Sequence, residues 1–155
     1  MFALLAFAAL TQSPDTAGLR EGFRAAVSAV LDSAAHDNGS VRDARLVVVD
    51  IQSFLSAASI GARDSGAWNA IAAGAGARAT TPGDSRCTTL ASPCVRIEAL
   101  SLRRSSASSI ELHLKVNSVL LGSQRTRVAA TEYIVALTRR NSVFVVTKVS
   151  HGLTT

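Results

Sequence analysis

Aromatic side chains are scarce in this chain: five Phe, one Trp (Trp68) and one Tyr (Tyr133) in 155 residues. Any core must therefore be built mainly from Ala, Val, Leu and Ile. Lysine is scarcer still, because fourteen of the sixteen basic residues are Arg and only Lys115 and Lys148 are Lys. The net charge of +5 invites a nucleic-acid reading, but most of the arginines are dispersed along the chain. Only Arg103/Arg104, Arg125/Arg127 and Arg139/Arg140 form local clusters. Nucleic-acid binders add a basic stripe or a recognisable module, often with stacking aromatics, and neither is visible. The arginine clusters leave contact with anionic surfaces as a lesser reading. No apolar run reaches the roughly 20 residues of a membrane span. The chain has no GxSxG, HExxH, SxxK or GxxxxGK[ST] motif, and with them go the hydrolase and nucleotide chemistries that they mark. Gly74-Ala75-Gly76 lacks the third glycine of a dinucleotide fingerprint. His36, His113 and His151 share no ligand spacing, and two cysteines cannot complete a tetrahedral zinc site, so no metal or cofactor is expected.

What remains is a globular composition, 48% apolar and 17% charged, of a length that makes a single domain. Residues 1–13 begin with an uncharged apolar run, Phe2 to Leu10, with small residues at Ala6 and Ala8. That pattern fits a secretory signal peptide, leaving residues 14–155 as the domain and placing it outside the cytoplasm, periplasmic or secreted. Cys87 and Cys94, in CTTLASPC, support the same compartment. Their spacing is not the CxxC of a redox enzyme, and a structural disulfide between them would stabilise by about 2.5 kcal/mol in the chain-entropy model. Asn38-Gly39-Ser40 matches a glycosylation sequon but reads better as a helix stop.

Leu19, Phe23, Ala26, Val27, Val30 and Leu31 fall on one face at helical spacing and predict an amphipathic helix over residues 16–36. Residues 44–51 read as a buried strand. Residues 52–59 and 65–75 place apolar residues at helical spacing, and 74–86 reads as irregular. From Cys94 the period becomes two. Ile110, Leu112, Leu114 and Val116 alternate with polar residues, Gly122-Ser123 turns into a strand over 124–139, and Asn141-Ser142 forms a two-residue hairpin into residues 143–149. An unbroken register pairs Arg140 with Val143, Leu137 with Val146 and Tyr133 with Ser150. Both faces of this hairpin are apolar: Val135, Leu137, Phe144 and Val146 on one, Ile134, Ala136, Val145 and Val149 on the other. One face should meet the helices and the other a pocket, a second protomer or another part of the chain.

The fold class is therefore α+β, with helices on a curved, mostly antiparallel sheet that ends in a four-strand meander. This order, with the tail from Tyr133 to Val146 (Tyr-x-Val-x-Leu-x-Arg-Arg-Asn-Ser-x-Phe-x-Val), resembles the nuclear transport factor 2-like fold and its SnoaL-like relatives, among small exported bacterial proteins. A cystatin-like helix on an antiparallel sheet is the alternative. The resemblance implies a conical pocket between sheet and helices. Enzymes of that fold use pocket carboxylates, histidines and tyrosines for isomerisation, dehydration or hydrolysis. Asp50, Glu132, Tyr133 and His113 are the candidates here, although Glu132 and Tyr133 point to opposite faces of an unbroken strand and Asp50 serves equally as a helix cap. The first reading is a non-catalytic binding domain that takes a small apolar ligand, a protein partner or a second copy through a sheet face carrying Tyr133, Val135, Leu137, Phe144 and Val146. The alternative is a pocket enzyme using Asp50 or Glu132 as base.

Overall fold

The computed structural model of the chain describes residues 16–37, 39–44, 46–61, 65–80, 94–121 and 126–154. In order these form α1 (Thr16–Asp37), α2 (Gly39–Arg42), β1 (Leu46–Asp50), α3 (Ile51–Ala57), α4 (Ser65–Gly74), β2 (Arg78–Thr80), β3 (Cys94–Ser106), β4 (Ser109–Leu121), β5 (Thr126–Arg140) and β6 (Val143–Thr154). The fold is α+β. One mixed six-stranded sheet runs in the order β2-β1-β3-β4-β5-β6. β1 is parallel to both β2 and β3, and β3 to β6 form an antiparallel meander.

α1 forms where the 3.6-residue period predicts it, and its buried stripe of Leu19, Phe23, Ala26, Val27, Val30 and Ala34 lies on the sheet. Phe23 is the hub of the helical layer. Its ring stands 5.4 Å from Phe54 on α3 and 5.5 Å from Trp68 on α4, both tilted, a favoured arrangement for aromatic pairs. α1 also comes close to β6, because a Cβ at Gly22 would lie 2.6 Å from the Phe144 Cβ.

α3 and α4 end in the same way. After α3, Ile60 N–H donates to the Leu55 carbonyl (2.9 Å) and Ser59 N–H to the Ser56 carbonyl (3.1 Å), with Ser59 at φ 56°. After α4, Ala77 N–H donates to the Ala72 carbonyl (2.7 Å) and Gly76 N–H to the Ala73 carbonyl (3.1 Å), with Gly76 at φ 74°. Both are Schellman caps, which satisfy the last carbonyls of a helix through one left-handed residue. Gly76, without a role in any nucleotide fingerprint, is thus a helix terminator.

The 74–86 stretch, expected to be irregular, contains β2. Its three residues pair with β1 at Val48, Val49 and Asp50 and are too few to show a period. At the other edge, Asn141 and Ser142 take φ 47° and 68°, the two left-handed residues of a type I′ hairpin turn. The expected register holds from Arg140↔Val143 to Leu137↔Val146 and then slips by one residue, so Ala136 pairs with Lys148 and Tyr133 with His151. Thr147 is the extra residue, and its hydroxyl donates to the Ala136 carbonyl at 3.1 Å. A one-residue bulge reverses the parity of everything beyond it. Val149 therefore packs toward the core opposite Val135, instead of joining Ile134 and Ala136.

The described helices contribute their buried residues to a single cluster on one face of the sheet. Among the described residues the other face carries a second, small buried apolar cluster of Val48 and Cys94, with Leu46 packed against it. Cys94 is buried at the start of β3, and no free cysteine stands among the described residues. Cys87 lies outside them, as do the apolar segment of residues 1–13 and the Gly122-Ser123 turn. Among the described residues no helix is long and apolar enough to cross a membrane.

Candidate functional site

The residues expected to form a binding face are the floor of the core. Tyr133, Val135, Leu137 and Phe144 are at most 2% exposed, and Val146 packs against them. α1 covers this face because the larger side chains of the hairpin are on it. The face left without a described helix carries Ala130, Glu132, Ile134, Ala136 and Thr138 of β5 and Val145 of β6, all partly exposed.

Asp50 sits where β1 passes into α3. Its Oδ1 accepts from Ser53 N–H at 3.3 Å, making Asp50 the N-cap of α3, and its Oδ2 accepts from Arg96 Nη2 at 2.5 Å. The side chain is 8% exposed. Ser53 completes the joint: its hydroxyl donates to the Asp50 carbonyl (2.7 Å) and accepts from Ala99 N–H (2.8 Å). β3 runs on past its last partner in β1, the Ile97–Val49 pair, and the serine takes over an amide that β1 no longer reaches. Arg96 Nε is buried with no acceptor. Both Asp50 oxygens are thus committed to holding α3 and β3 together, and Asp50 reads as a structural anchor.

Glu132 and His113 share the face without a described helix but are not brought to Asp50. Glu132 pairs in register with Lys115, and His113 with Ile134. Asp50 and Glu132 are three strands apart, about 14 Å at the usual strand spacing. Around them lies a polar weave in which Asn117 Nδ2 donates to Glu98 Oε1 at 2.9 Å. Lys115 stands in register between Glu98 and Glu132. Tyr133 points the other way, into the core.

One cluster was not expected from the sequence. The bulge at Thr147 puts His151 opposite Tyr133, with ring centroids 5.1 Å apart. His151 Nε2 lies 3.2 Å from Asp37 Oδ2 at the end of α1. Burial raises the Tyr133 pKa above its ordinary value of 10.0, and the Asp37 charge adds to this. An imidazole oriented by a carboxylate beside a protonated phenol is a proton-handling arrangement in principle. Here the imidazole and carboxylate are 53% and 41% exposed, so water screens the pair and the geometry serves first to tie α1 to β6. Nothing in the sequence marks Thr147 as a bulge, so only the register could reveal this trio.

Comparison with known protein families, curated proteins and solved structures finds no match. The site must be read from its own chemistry. A groove of about 300 Å³ lies between α1 and the start of β6, lined by Glu21, Arg24, Ala25, Ser28, Val143, Phe144 and Val145. It contains none of Asp50, His113, Glu132 and Tyr133. Among the described residues no group of three or more His, Cys, Asp or Glu side chains is placed to hold a metal ion.

Proposed function

We propose that this chain is an exported, disulfide-closed binding domain, without catalytic function, that engages its partner through the face of the sheet that carries no described helix. The observation that carries the reading is the strip of Ala130, Ile134, Ala136 and Val145, partly exposed on a face with no described helix. The order of one long helix, short helices and a terminal meander supports the nuclear transport factor 2-like resemblance. The partner we favour is a second copy of the chain. Glu98, Lys115 and Glu132 alternate in sign across three strands of the same face, and a surface of mixed charge can meet itself across a two-fold axis. The pocket-enzyme alternative has less support, because both Asp50 oxygens are engaged and the groove holds neither carboxylate.

Native mass spectrometry and sedimentation of the full chain test this. The expected result is a dimer that Ile134→Glu with Val145→Glu converts to monomer while leaving the urea midpoint nearly unchanged. A wild-type chain that is monomeric and ligand-free would refute it. A monomer retaining a small apolar ligand would redirect the same face to that ligand, and the double substitution should then release it.

A further inference from the structure

The groove between α1 and β6 lies at an edge of the sheet. β6 is the last strand on its side among the described residues, and Arg140↔Val143 is the hydrogen-bonded pair that closes its two-residue hairpin. Antiparallel pairs alternate from there, so the next residue, Phe144, turns its N–H and C=O away from β5. The opposite strand agrees: Arg139, facing Phe144, gives its N–H to the Ser108 carbonyl at 2.7 Å, on the β4 side. No other backbone bond reaches the Phe144 main chain among the described residues. The Phe144 side chain is in the core beneath Gly22, so what Phe144 shows the groove is this backbone pair. The residue is 2% exposed, and main-chain groups so nearly dry are costly without a partner. Val146 repeats the orientation two residues on, and the bulge at Thr147 ends it. The stretch that faces outward is thus Val143 to Val146, about 13 Å long.

We infer that this groove takes a short, extended, acidic peptide of another protein, added along β6 as a further strand. Backbone donors and acceptors at strand spacing select a peptide backbone. The volume of about 300 Å³ is at the lower end for ligand sites and suits a few residues. Side chains then choose the charge. The wall opposite β6 is the α1 stripe of Glu21, Arg24, Ala25 and Ser28, which helical spacing puts on one side. Glu21 holds Arg24 through its Nε at 3.3 Å, which leaves the terminal nitrogens of the guanidinium fork for a second carboxylate. Arg20 precedes Arg24 by one turn, and Arg140 closes β5 beside Val143, so the surroundings favour an acidic occupant over a basic one. In antiparallel addition the residue opposite Phe144 carries its side chain on the α1 side, toward Arg24. Its neighbours carry theirs on the side of Val143 and Val145. A sequence that alternates acidic and apolar residues satisfies both. The inference does not rest on the dimer proposed above.

The test is fluorescence anisotropy of labelled, end-capped peptides of about six residues, titrated with the full chain. A peptide alternating valine and glutamate should bind saturably, and one alternating valine and lysine about tenfold more weakly. N-methylation of the glutamate amides, which face β6, should weaken binding by about fivefold per amide; N-methylation of the valine amides, which face away, should cost far less. Arg24→Gln should weaken the glutamate peptide by about tenfold, and Ala25→Leu, which fills the groove with a good helix former, should abolish binding. Arg42→Gln, an exposed arginine near the other end of α1, should leave it unchanged. Absence of saturable binding at millimolar concentration would overturn the inference, as would equal losses for the two methylated peptides or for Arg24→Gln and Arg42→Gln. A dimer in sedimentation that Ala25→Leu converts to monomer would overturn it in favour of a second copy in the groove.

Discussion

Asp50→Ala should destabilise the domain by about 3 kcal/mol without changing the compactness of either state. Two losses add. The α3 N-cap, from Asp50 Oδ1 to Ser53 N–H, contributes about 1 kcal/mol. The bond from Arg96 Nη2 to Asp50 Oδ2 is charge-assisted and nearly dry on the carboxylate side, a class worth roughly 1.5–3 kcal/mol. Arg96 is 27% exposed and can partly rehydrate, which favours the lower half of that range. Asp50→Asn keeps an acceptor for the cap and loses the charge, so it should cost about half as much. Arg96→Met leaves a buried carboxylate without its cation, and adding Asp50→Asn to it should recover stability, the non-additivity expected of a coupled pair. The assay is equilibrium urea unfolding, in which the midpoint should fall while the slope stays constant. The corresponding drop in Tm is about 6–12 °C at this chain length. An Asp50→Ala protein within about 0.5 kcal/mol of wild type would refute the anchoring role and reopen Asp50 as a carboxylate held for chemistry.

Two further predictions follow from the seat of α1 on β6. Tyr133 is the only tyrosine and its folded pKa is raised, by burial first and then by the Asp37 charge, so its neutral form is favoured in the fold. Its contribution is fully present below the unfolded pKa of about 10 and is lost as pH rises from there through the raised folded value; tyrosinate absorbance of the folded protein should titrate above that of the urea-unfolded chain, and Asp37→Asn should bring it part of the way back. Gly22→Ala forces a Cβ to within 2.6 Å of the Phe144 Cβ, and this overpacking should outweigh the helix-propensity gain of about 1 kcal/mol. Gly66→Ala in α4, where a Cβ meets nothing within 4 Å, should be neutral or stabilising, so the two urea midpoints should move apart.

The helical and strand periods were legible because they depend on parity and spacing alone. α1, α3, α4 and the four strands of the meander fall where the alternation of Leu19 to Leu31 and of Ile110 to Val116 places them. Which hairpin face is covered was harder to read, since both are apolar. Side-chain size is the signal that decides it: Tyr133, Leu137 and Phe144 on one side are larger than Ala130, Ala136 and Val145 on the other, and α1 takes the larger set. β2 is three residues of a parallel pairing, which only its neighbour defines. The Thr147 bulge costs one residue and changes no composition, yet it moves Val149 into the core and brings His151 to Tyr133. The anchor at Asp50 was half legible, as a cap. Its partner Arg96 is 46 residues away and no local pattern points to it.

The seating of α1 on β6 joins the two ends of the described chain. During synthesis α1 is made about a hundred residues before the strand it packs on, Val143–Thr154. Until then the stripe from Leu19 to Ala34 has no partner at that edge, and such long-range closure is slow by its nature. β3 and β4 can form their hairpin as soon as they are complete, but the layer that buries Phe23 cannot be finished. A chain arranged this way keeps its helical layer open until β6 has been made.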